Sequence, residues 1–268
     1  MKSENGPETI SKVFNSTGID MLKLRKTKDW PTILRMMRVS NDITLSPGVA
    51  FLVSFRPPSA HLDVLNNGLH WHFVRWNAAV ASEALTIVID PLRKHINDKD
   101  HGIWNVIRER QSLNERWRLL EEYLSEKDHW KHLKSAKTIR DKLMAHYDNA
   151  PINKAFNDLL NLHEQAGHDV VLGWHMQSSN DGGVLTRNNM VDQLLNIAWF
   201  QTYGIEPTIA GPDSESIEKV AKSIEEFLSL TSNFFHGVVL AYCEQHDLIN
   251  SDGEPPWYLK ERMLQGEK

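Results

Sequence analysis

The chain has 268 residues, 41% of them hydrophobic and 24% charged, with a formal net charge of −5. These are ordinary globular proportions, enough for a substantial core in one large domain or two small ones, and the acidic balance argues against a general nucleic-acid binder. No apolar run approaches the roughly 18 residues a membrane helix needs, and the polar stretch Met1 to Lys12 has no secretory core, so a cytoplasmic protein without a membrane segment is expected. The single cysteine, Cys243, excludes an intrachain disulfide, and its neighbours Val238, Val239, Leu240 and Ala241 suit a buried, inert thiol.

In chain order, a polar start leads into a Leu/Met/Arg segment from Ile19 to Arg38 and an apolar stretch from Gly48 to Phe55, which Arg56-Pro57-Pro58 ends. Residues 1–59 are expected to form an N-terminal extension packing on a main domain of residues 60–268. The extension carries a basic cluster, Arg25, Lys26, Lys28, Arg35 and Arg38, suited either to RNA or to plain solvent exposure. From His70 to Leu92, Trp71, Val74, Ala78, Ala81, Leu85 and Val88 recur at helical spacing, and Pro91 is expected to limit that helix.

A second helix is expected from Ser112 to Ser125, with Leu113, Trp117, Leu120 and Leu124 on its apolar face, and a third from near Asp128. Pro151 to Gln165 reads as another, ended by Gly167. Asp181-Gly182-Gly183, within the Ser/Asn/Asp/Gly-rich region 173–189, signals a turn and admits a short hairpin. Met190 to Tyr203 is helical again. Pro212-Asp213-Ser214 starts a long helix to about His246, with Ile217, Val220, Ile224, Phe227, Leu228, Leu230, Phe234 and Val238 inward. Six helical segments without a convincing alternating pattern predict an all-α bundle.

The chemistry sits in Ile139-Arg140-Asp141-Lys142-Leu143-Met144-Ala145-His146-Tyr147-Asp148. On a helix over residues 130–147, Leu133, Ala136, Leu143, Met144 and Tyr147 share one side, and Arg140 falls within that apolar stripe. A guanidinium there must meet a carboxylate, snorkel to water or face an anionic ligand. His146 lies about 120° around the helix from Arg140, so the two would flank a groove; packing of this helix on its own copy across a two-fold axis would bring two such pairs together. From Glu126 to Lys142 six basic residues face three acidic ones, whereas Asp213 to Lys268 holds eleven acidic and five basic residues. Lys134, Lys137 and Lys142 are therefore candidate phosphate contacts, with a solvated helix face as the plain alternative. Lys142 also shares a face with His146 at i, i+4.

The pattern Arg140-Asp141-Lys142 with Ala145-His146 resembles the signature of the HEPN superfamily (higher eukaryotes and prokaryotes nucleotide-binding domains), in particular its abortive-infection, phage-defence members. The resemblance implies an up-and-down helical bundle acting as a homodimer, metal-independent cleavage of RNA, tRNA among the candidates, by Arg140 and His146, and a supporting role for Asp141, where many members carry asparagine. It also implies a toxin–antitoxin setting with a cognate antitoxin protein. The second reading is a non-catalytic HEPN-like dimer that binds RNA, a nucleotide or a protein partner. No metal or cofactor is expected: His70 and His72 would point to different sides of a helix, and His168 follows His163-Glu164 one residue too late for a zinc-protease spacing.

Overall fold

The computed structural model describes residues 18–54, 74–141, 149–167, 175–178, 184–187, 189–208 and 213–250. Among them the protein is all-α apart from two short antiparallel ribbons. The helices are α1 (Met21–Leu24), α2 (Trp30–Ser54), α3 (residues 74–94), α4 (Gly102–Glu109), α5 (Gln111–Ser125), α6 (Lys127–Ile139), α7 (Asn149–Gln165), α8 (Asn189–Thr202) and α9 (Ser214–Gln245). The strands are β1 (Gly18–Ile19), β2 (His175–Ser178), β3 (Val184–Arg187) and β4 (Ile249–Asn250). No described helix is long and apolar enough to cross a membrane.

Helix α9 is the axis of the molecule. Asp213 starts it as expected, its carboxylate accepting from the backbone N–H groups of Glu215 and Ser216 and satisfying donors that have no partner within the helix. Val220, Ile224, Phe227, Phe234 and Val238 recur at helical spacing and are buried. Around them pack α2, α4, α5 and α6, while α7 pairs with α8 and α8 touches α6. Leu24, Ile33, Met36 and Val39, from the segment expected to form an extension, belong to the same core cluster as α9. Ends of the described chain meet in the β1–β4 ribbon, with Gly18 opposite Asn250 and Ile19 opposite Ile249.

Helix α5 presents the predicted face: Leu113, Trp117, Leu120 and Leu124 are buried, together with Tyr123. Trp117 meets Trp104 edge-on at 4.9 Å and Phe234 at 5.3 Å, arrangements that suit the ring quadrupoles. The Tyr123 hydroxyl donates to the Ser223 carbonyl on α9, and burial pushes its pKa up to about 12. Close approach of α5 to α9 depends on Gly237, where a Cβ would lie 2.6 Å from Arg116 Nη1 and 2.7 Å from Leu113 Cδ2.

Several expectations change. Helix α3 continues past Pro91 to Lys94, because the turn Leu85–Ile89 widens so that the Asp90 N–H reaches the Leu85 carbonyl. A proline ring clashes with the carbonyl four residues earlier and lacks an N–H; a wide turn just before it relieves both. Helix α4 lacks a counterpart in the sequence reading, although Ile103, Trp104, Val106 and Ile107 are all buried. Its N-cap is His101, whose Nδ1 accepts from the Trp104 N–H at 3.4 Å. Single extended residues, Arg110 and Glu126, separate α4 from α5 and α5 from α6. The Asp181-Gly182-Gly183 turn is outside the described residues, but the strands flanking it, β2 and β3, pair as the expected hairpin. Helix α7 ends at Gly167, which takes φ +68, a left-handed value that glycine adopts without Cβ strain. Cys243 is buried, and burial raises its thiol pKa.

Two stability predictions follow from these contacts. Gly237→Val forces a branched side chain against Leu113 and should cost about 1–3 kcal/mol, read as a lower urea midpoint at unchanged slope. The His101 pKa is lowered by burial, opposed by Asp29, so the folded state holds fewer protons than the unfolded state below about pH 6.5. Stability is then full above that pH and is lost as pH falls through the lowered folded value. His101→Asn keeps a good cap without the titration, so denaturation curves at pH 7.5 and 5 should show the variant gaining on the wild type in acid.

Candidate functional site

Arg140 directly follows the last turn of α6. Its torsions remain helical (φ −55°, ψ −51°), and its N–H bonds the carbonyls of Ala136 and Lys137. The stripe that leads to it is buried as predicted at Leu133 and Ala136, and Ile139 is buried beside it. The guanidinium resolves its placement with a carboxylate: Nε donates to Asp141 Oδ1 at 2.8 Å and Nη2 lies 2.7 Å from the same oxygen. Its side chain stays 30% exposed, so the pair is held at a surface and not sealed in the core. Asp141 thus orients Arg140 from the adjacent position. Such an ion pair is screened by water and adds little to stability, so its main effect is geometric.

Arg140 opens into a groove of about 270 Å³ between the end of α6 and the pair α2 and α3. Arg38 and Asp42 line it from α2; Trp76, Ala79, Val80 and Glu83 line it from α3. Arg38 lies 3.6 Å from Glu83 and 3.9 Å from Asp42, loose contacts for a side chain that is 68% exposed. Trp76 is 37% exposed, the most accessible tryptophan described. Two guanidiniums beside an open indole provide planar forks for phosphate oxygens and a ring on which a base can stack. Glu83 and Asp42 hold Arg38 without the short, two-point geometry that would lock it away from a ligand.

Other predicted residues divide between surfaces. Lys134 lines a second groove on another side of α6, about 120° around the helix from Arg140 by helical arithmetic. Lys137 is exposed and lines neither groove. Lys142 and His146 lie outside the described residues, as do His70, His72, His168 and the side chain of His163. Among the described residues no group of three or more His, Cys, Asp and Glu side chains is placed to hold a metal ion.

The sequence reading grouped Arg38 with a separate basic cluster and passed over Trp76 and Glu83. Trp76 did carry a signal, since it falls off the apolar stripe of its own helix. Arg75, also passed over, is a different kind of arginine: it is 4% exposed and donates to Asn196 Oδ1 on α8 at 2.5 Å. It ties α3 to α8 from within the core. Comparison of the chain with models of known families, with characterised proteins and with solved structures finds no match.

The contrast between the two arginines is measurable. Arg75→Ala should remove a buried guanidinium from its partly buried amide partner and lower stability by about 1–3 kcal/mol, a melting shift of several degrees. Arg140→Ala should shift it by less than about 1 kcal/mol, because its partner is solvated. A larger loss for Arg140→Ala in differential scanning calorimetry would make Arg140 a structural residue.

Proposed function

We propose that this protein is a metal-independent endoribonuclease of a phage-defence or toxin–antitoxin system, a HEPN-like helical bundle acting as a dimer. The observation that carries this reading is the Arg140 guanidinium, half-exposed, oriented by Asp141 and facing a groove it shares with Arg38 and Trp76. The kind of system, the dimer and an antitoxin partner rest on the resemblance of the Arg140–His146 motif.

The chemistry follows from those residue types. The 2′-hydroxyl of the RNA attacks the adjacent phosphorus, the bond to the 5′-oxygen breaks, and a 2′,3′-cyclic phosphate and a free 5′-hydroxyl remain. His146 moves the proton, since an imidazole titrates near neutral pH. Arg140 meets the charge that builds on the non-bridging oxygens, where a planar fork is worth most in the transition state. Asp141 keeps that fork turned toward the groove. Trp76 offers a face for a flanking base, and Arg38 a second cation near the same strand.

The ion pair itself favours one competing reading. With Arg140 neutralised by Asp141, the groove would serve a non-catalytic helical dimer that binds RNA, a nucleotide or a protein partner. Incubating the purified protein with tRNA and ribosomal RNA in excess EDTA, beside Arg140→Ala and His146→Ala, separates the two. The nuclease predicts cleavage by wild type only, with a loss of at least 100-fold in each folded variant. Absence of cleavage in all three would leave the binding reading, and unchanged cleavage by folded His146→Ala would remove His146 from the chemistry.

A further inference from the structure

The side of α6 turned away from Arg140 has a design of its own. Lys127, Lys131 and Lys134 stand at i, i+4 and i+7, within about 60° of one another, and line one groove of about 530 Å³. Trp130 and the hydroxyl residues Ser135 and Thr138 complete its wall, with Thr202 from α8 opposite. No carboxylate lines it, and none of the three lysines has an ion-pair partner among the described residues. Elsewhere on the surface some cations are paired, Arg93 with Glu121, Arg110 with Glu244, Arg118 with Glu122 and Lys154 with Asp158, while others such as Lys94, Lys99 and Lys222 are not, among the described residues. What sets the α6 lysines apart, on a chain of net charge −5, is that three of them line one shallow groove without a carboxylate.

Trp130 positions one end of the row, Lys134, without neutralising it. The Lys134 ammonium sits 5.2 Å from the centre of its ring and the Arg93 guanidinium 5.7 Å. A ring quadrupole fixes a cation's position but leaves its charge available, which a carboxylate would not. Arg93, already held at 2.7 and 2.8 Å by both oxygens of Glu121, buttresses the indole from the protein side of the charge balance.

We propose that this groove is a binding track for the phosphate backbone of RNA, distinct from the Arg140 groove and independent of base sequence. From Lys127 to Lys134 the row spans about 10 Å at 1.5 Å per residue, longer than one phosphate group, so it fits a polymer of phosphates better than a single one. Lysines act as point charges without the planar fork of arginine and therefore attract phosphate without reading bases. Stable anchoring to an anionic membrane would call for exposed apolar side chains beside the lysines, whereas the one large ring here packs against the core. Because it lies on the far side of α6 from Arg140, the track would hold a flank of the strand and not the bond to be cut.

The RNA assignment rests on the proposed function, but the track does not require cleavage, and the two can fail separately. Fluorescence anisotropy with a labelled single-stranded RNA, read across a salt series, tests it on the full chain with the combined Lys127→Gln, Lys131→Gln, Lys134→Gln variant. Lys219→Gln with Lys222→Gln on α9 serves as the charge-removal comparison. The proposal expects at least a tenfold loss of affinity for the triple variant, with a salt slope shallower by about 2 because each lysine on a single strand releases about 0.7 counterion. It expects no more than a twofold loss for the α9 pair. Equal losses in both variants, unchanged binding by the triple variant, or a wild type that binds anionic vesicles but no RNA would each overturn it. Retained lysine-dependent binding by a protein that cuts nothing would uphold the track and remove the nuclease.

Discussion

Among the described residues, four helices are arranged against the buried face of α9. A helix of 32 residues carrying Phe227, Phe234 and Phe235 in its fully buried set cannot satisfy that surface alone, so at least four others must cover it. Burying apolar area contributes about 25 cal/mol per Å², and this contact set joins the largest buried side chains of α9 to four other helices. Gly237 is where the covering is tightest, since it lets α5 approach closely enough for Trp117 to reach Phe234. The remaining helices take positions that this central packing leaves open.

The legible parts of the fold were those with local causes. Asp213 before an apolar periodic run, Gly167 after one, and the four inward residues of α5 each declare a helix or its end within a few positions. What the sequence concealed depended on cancellation or distance. Pro91 reads as a stop, yet the wide turn Leu85–Ile89 absorbs its clash, and nothing local marks a turn that adds one residue. Helix α4 is short, and an eight-residue segment offers barely two turns in which to display a period. Arg38 and Arg140 stand 102 positions apart in the chain, so their shared groove depends on how α2 and α6 are packed. The Arg140 to Asp141 contact is between sequence neighbours; helical geometry makes such side chains diverge, but the long, flexible arginine reaches around to the short carboxylate at the helix end.

Helix α6 is used on two sides for two purposes. One side carries the apolar row that ends in Arg140; the other carries three lysines, of which Lys134 lies over an indole. Between these the helix gives each cation a different electrostatic setting. Arg140 has a carboxylate partner and a loosely held second guanidinium nearby, and the lysines have neither. A chain with an acidic total can in this way present positive charge locally, because no carboxylate lines the lysine groove of α6.

The joints at Arg110 and Glu126 have a further consequence. Three consecutive helices are connected by one extended residue apiece, so there is no slack to absorb a change of length. Adding or deleting a single residue at Glu126 would rotate α6 by about 100° about its own axis. Leu133, Ala136 and Ile139 would swing outward, and the lysine row would turn toward the interior. Substitutions along this segment are tolerated or rejected one side chain at a time, but insertions are rejected by both grooves and the core at once.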